Sequence, residues 1–238
     1  MEIPEEDLVQ ATYEAIYWWN RDEQYYHNYF SKLDILQKNE KLMAFFTTKI
    51  FDTFLKEYSV RRNIPKGYAS VDKFLNEIIT KHNFVQEVQK SKIEIIDSTS
   101  FNLIESNSCN NQTKSLLSKI AFLINPNSFS LCDTLTKNSL YRLSTNNIKR
   151  EDFSSYTKFK LEIDTLRNKI IDRKLFPLSY DVLNKFEGSS AFIYFNSNPD
   201  AFELRVIDKL LWILDQSEDN RHVENEQYLE LLKLNTQS

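Results

Sequence analysis

The chain has 238 residues, 41% hydrophobic and 13% aromatic, and its 30 basic and 34 acidic side chains give a formal charge of -4. This is enough apolar material for a sizeable core in one globular domain of the upper size range, or in two closely packed lobes. No run approaches the ~20 apolar residues of a membrane-spanning helix, and the two glycines, Gly67 and Gly188, exclude phosphate-cradling loops and dinucleotide fingerprints, which need several glycines.

The acidic start, MEIPEEDLVQ, does not have the basic-then-apolar order of a signal peptide, so a cytoplasmic protein without a membrane partner is expected. Residues 5 to 30 place Leu8, Ala11, Tyr13, Ile16, Trp19, Tyr26 and Phe30 near helical spacing, and Leu42, Phe45, Phe46, Ile50, Phe54 and Leu55 continue the pattern in a second long helix. The first helix also carries Tyr17, Trp18, Tyr25 and Tyr29, more rings than one face buries, which marks it as a candidate surface for a protein partner. Asn63 to Gly67 breaks the chain, and Ser70 precedes a helix bearing Val71, Phe74, Leu75, Ile78 and Ile79.

The polar tract ESNSCNNQT ends the next segment and is the expected lobe boundary, near 106–113, within a single helical domain of residues 1–238. Helices are then expected at about 114–124, 134–146, 151–172, 178–186, 201–215 and 223–235. The run Ala191 to Phe195 is too short to separate strand from buried connector and is read as a loop, so the fold class is all-α, a compact multi-helix orthogonal bundle. Within 201–215, Arg205 and Asp208 stand three apart, the spacing of a helix ion pair, and Trp212 is assigned to core or interface. Cys109 and Cys132 are expected as reduced thiols, and neither they nor the scattered His27, His82 and His222 have metal-ligand spacing; no metal or cofactor is expected.

Charge is uneven. Residues 114 to 174 hold twelve Lys or Arg against six acids, a local +6 that leaves -10 for the remainder. A basic centre in an acidic chain suits limited contact with a polyanion, although ordinary solvated helix faces give the same count.

The stretch NQTKSLLSKIAFLINPNSFSLCDTLTKNSL, residues 111 to 140, is the one place where a specific chemistry is legible. Lys114 stands at the start of an apolar helix (Leu116, Leu117, Ile120, Leu123, Ile124), and nineteen positions on, after a proline loop, Asp133 stands where an N-cap belongs. This order resembles the catalytic core of the helix-hairpin-helix DNA glycosylase superfamily, especially its oxoguanine-glycosylase-like branch. The resemblance covers about thirty residues. It implies a DNA glycosylase or abasic-site lyase in which Lys114 attacks the sugar C1′ and Asp133 stabilises the cationic sugar. It also sets Asn110 and Asn111 where the family's glycine hairpin binds a DNA phosphate, and Lys137 four positions after the aspartate.

Phosphate contacts are further expected from Arg61, Arg62, Lys119, Lys137 and Arg142, with Tyr68 available for stacking and DNA favoured over RNA. Two readings stay open: a nucleic-acid enzyme of repair or bacterial defence, and a non-catalytic binding or assembly subunit of a larger nucleic-acid-processing or defence complex. In the second, Lys114 is a solvated lysine and Asp133 only a helix cap.

Overall fold

Three acids, Glu5, Glu6 and Asp7, follow Pro4 and complement the helix dipole at the start of α1 (Glu5–Trp18), whose Leu8, Ala11, Ala15 and Ile16 are buried. The structure is a computed structural model describing residues 3–109, 113–144 and 149–216. A π-helical turn, Trp19–Glu23, joins α1 to α2 (Gln24–Phe30), so the long first helix is present with one widened turn. Then come α3 (Leu33–Leu36), α4 (Glu40–Phe45), a second π segment (Phe46–Phe51) and α5 (Asp52–Glu57). After the 3-10 turn Arg61–Asn63, Gly67 takes φ +105°, a backbone that side-chain-bearing residues rarely adopt, and starts α6 (Tyr68–Asn76).

A third π segment (Glu77–Lys81) leads to α7 (Phe84–Gln89), α8 (Ile95–Glu105) and α9 (Lys114–Ile124). The chain continues through α10 (Thr134–Leu143), a 3-10 turn (Arg150–Ser154), α11 (Tyr156–Asp172), α12 (Phe176–Asn184), α13 (Ser190–Ser197) and α14 (Pro199–Asp215). The described residues contain no strand, and the class is all-α. Among them no helix is long and apolar enough to cross a membrane.

The expected loop at 191–195 is helical, as α13. The Ser189 hydroxyl accepts from the Phe192 N–H and opens the helix, and Ala191 and Phe195, one turn apart, are its buried residues. The expected helix at 223–235 and His222 lie outside the described residues.

Over the described residues the chain divides into two compact units. The first is built from Met1–Gln24, Asp133–Ser154 and Lys158–Ser238; in it α14 packs against α1 and α10, and α12 against α1. The second is Tyr25–Cys132 with Ser155–Thr157, and the tract expected as a lobe boundary, 106–113, falls inside it between α8 and α9. Its core is an aromatic cluster in which Phe30, Phe46, Phe51, Phe54 and Phe74 are fully buried. Each such ring contributes ~2 kcal/mol or more by burial, and edge and offset contacts add to it.

Candidate functional site

Lys114 is the first residue of α9. The helix forms because Leu116, Leu117, Ile120 and Leu123 repeat at helical spacing and are all buried. Its start is fixed to α8 by the Thr113 N–H, which donates to Ser100 Oγ at 3.1 Å. The Lys114 side chain is mostly buried, and its Nζ lies 2.8 Å from Oδ1 of Asp97 on α8.

Asp97 accepts four further hydrogen bonds. They come from the Tyr156 N–H (2.9 Å), the Thr157 N–H (3.0 Å) and the hydroxyls of Ser155 (2.9 Å) and Thr157 (3.0 Å), so one carboxylate also caps the first turn of α11. Burial works against its charge, but donation from Lys114, the two backbone N–H groups and Ser155 outweighs it and holds the carboxyl at about 2.

Asp133 is the N-cap of α10, with extended backbone. Its Oδ1 accepts from the Thr136 N–H at 2.9 Å, and Thr136 Oγ1 accepts from the Asp133 N–H at 3.0 Å, a reciprocal capping box. The side chain is half-buried, and among the described residues Oδ2 accepts no hydrogen bond. The loop between α9 and α10 is tied down on both sides: the Cys132 N–H donates to Ser118 Oγ at 3.0 Å, and the Tyr156 hydroxyl bridges the N–H and C=O of Ser130. Lys114 belongs to the second unit and Asp133 to the first.

The expected nucleic-acid contacts divide by what each side chain already does. Arg61 is engaged by its own loop, donating to the carbonyls of Ile64 (2.9 Å) and Pro65 (3.2 Å) with Asp52 3.7 Å away. Arg62 is exposed on the same 3-10 turn, and Tyr68 is exposed at the start of α6. Lys119 donates to the Tyr58 carbonyl at 3.3 Å. Lys137 is half-buried on α10. Arg142 donates to Asp215 Oδ1 at 2.6 Å and to the Leu214 carbonyl at 3.1 Å, closing the end of α14. Asn110 and Asn111 lie outside the described residues.

Much of the basic excess of 114–174 is paired locally. Lys158 meets Asp152, Lys160 meets Asp164, and Arg167 meets both Asp200 and Glu203. The thiol of Cys109 is pushed up to about 12 by burial, which disfavours a thiolate nucleophile there. His27 Nδ1 is 2.8 Å from the Leu123 carbonyl, and His82 lies between Glu77 and Asn102, so both are packed side chains.

Sequence reading missed Asp97 and a buried charge cluster in the first unit. In that cluster Arg205 on α14 pairs with Glu23 on the π turn and with Asp208, the three-residue spacing expected along α14. All three side chains are nearly inaccessible. Burial raises Glu23 to about 7, with Arg205 and Lys209 pulling it back. Lys209 is also buried, its amine 4.5 Å from the centre of the Trp18 ring and 5.8 Å from that of Trp212. Glu23 and Arg205 are 182 positions apart, and no local pattern reports such a pair.

Comparison with protein-family models, with curated proteins and with solved structures gives no match.

Proposed function

We propose that the chain is a nucleic-acid-binding protein of glycosylase- or lyase-like chemistry, with Lys114 as nucleophile and Asp133 as electrostatic stabiliser. The observation that carries the reading is Asp133: its capping box uses one carboxylate oxygen and leaves the other, Oδ2, unengaged among the described residues at a helix N-terminus. Such an oxygen is suited to stabilising a developing sugar cation. Lys114 stands at the first position of a helix whose start is anchored to Ser100.

In the reaction the target base leaves its stack, the glycosidic C1′–N bond breaks with the pair of electrons going to the base, and the Lys114 amine forms a C1′–N bond. Ring opening of the sugar then gives a Schiff base. Before attack the Lys114 ammonium leaves Asp97 and gives up a proton to solvent, because only the neutral amine has a lone pair, and the departing base takes up a proton as its bond to C1′ breaks.

Borohydride is expected to trap a covalent adduct on duplex DNA carrying an abasic site or an oxidised purine, and Lys114→Ala to abolish it. The exposed Arg62 and the half-buried Lys137 are the candidate phosphate contacts not consumed by internal pairs. With two such contacts, the slope of log affinity against log salt is expected to be shallow, roughly -2.

A second reading, a non-catalytic binding or assembly subunit, is favoured by a different observation. Tyr25 and Phe101, from α2 and α8, remain exposed at 46% and 61%, while the Asp97 pair gives Lys114 a purely structural role. If no adduct forms on any such DNA, this reading replaces the first.

A further inference from the structure

We propose that Lys209 is a reactive amine that forms Schiff bases with small uncharged aldehydes, at a site separate from Lys114. Two lysines are buried among the described residues. Lys160 is tied to Asp164 along α11, whereas Lys209 makes no ion pair and no hydrogen bond there, and its amine rests on the indole faces of Trp18 and Trp212. The neighbouring carboxylates of Glu23 and Asp208 each pair with the Arg205 guanidinium rather than with the Lys209 amine.

A desolvated lysine next to a second cation is the arrangement that turns an ammonium into a nucleophile. Burial and then Arg205 lower Lys209 to about 8, against the smaller opposing pull of Asp208, Glu14 and Glu23. Those three acids face it from α14, α1 and the π turn, and Asp22 and Arg21 stand on the same turn. This mixture of charge offers no net attraction to an anion, and the two indoles wall the amine closely, which selects a small neutral electrophile.

The free amine adds to the aldehyde carbon as the carbonyl oxygen takes up a proton, giving a carbinolamine. Loss of water leaves the imine, and cyanoborohydride delivers hydride to its carbon to fix a secondary amine.

The test uses the intact native protein, acetaldehyde and cyanoborohydride, brief exposure, and peptide mass spectrometry after chymotryptic digestion. Lys209 is expected to be ethylated roughly tenfold faster at pH 7.5 than the exposed Lys38 and Lys66. Its rate should rise with pH to a half-maximum near 8. Lys209→Arg should remove this product and leave the others. Labelling of Lys209 no faster than Lys38, labelling only after urea, or a rate that keeps climbing beyond pH 10 would each overturn the proposal. Lys114→Ala must leave the Lys209 product intact, so the result is independent of the reaction assigned to Lys114.

Discussion

Asp97 is the side chain on which the geometry around Lys114 depends. It takes five donors, two of them backbone N–H groups that open α11. Its folded pKa is depressed, so it contributes stability at pH above its ordinary value near 3.8, and that contribution is lost as pH falls towards about 2. The group is partly exposed, and after allowance for solvent screening the contribution is ~1–2 kcal/mol. Asp97→Asn keeps a carbonyl oxygen for the backbone donors but loses the ion pair. Chemical denaturation measured from pH 6 to pH 2.5 should therefore show the wild type losing its advantage over Asp97→Asn across the acid limb, with the two converging at the low end. A constant gap would mean that Asp97 acts through shape alone.

At the scale of elements, Asp133 carries two roles that one substitution separates. Asparagine caps a helix about as well as aspartate, so Asp133→Asn should leave the melting temperature within a degree or two, whereas Asp133→Ala should cost about 1 kcal/mol through the lost cap. The borohydride adduct proposed for Lys114 should fall strongly in both, because neither variant has a charge to offer the sugar. Equal trapping in Asp133→Asn and wild type would leave Asp133 as a cap and nothing more.

The cap was readable in the sequence because capping is local: Asp133 and Thr136 stand three apart, directly ahead of an apolar period. The faces of α9 and the Arg205–Asp208 pair were readable for the same reason. Asp97 was not, since its partners lie 17 to 60 positions away and only the packed chain brings them to one carboxylate. The run at α13 was misread because five consecutive apolar residues carry no period, and the Ser189 cap that decides the matter shows only in backbone geometry.

At the scale of the whole molecule, among the described residues, the Arg205–Glu23–Asp208 cluster is the ion-pair network whose side chains are all nearly inaccessible, and it carries the large energetic liability. Exposed pairs such as Lys149–Glu151 contribute little. Removing one member of a buried network leaves the others charged, desolvated and unmatched, at a cost of ~3–5 kcal/mol, whereas exchanging all members for apolar residues of similar volume is often neutral or better. Arg205→Met should therefore destabilise the first unit strongly, and Glu23→Leu with Arg205→Met and Asp208→Leu should recover most of the loss. The three tryptophans, Trp18, Trp19 and Trp212, all belong to that unit, so their fluorescence in urea reports on it alone. A single Arg205→Met transition at lower urea, restored in the triple variant, would show that the cluster is retained for specificity or chemistry rather than for stability. A triple variant no more stable than Arg205→Met would instead make the buried charges a net source of stability, and Lys209 would then sit in a field that the fold cannot do without.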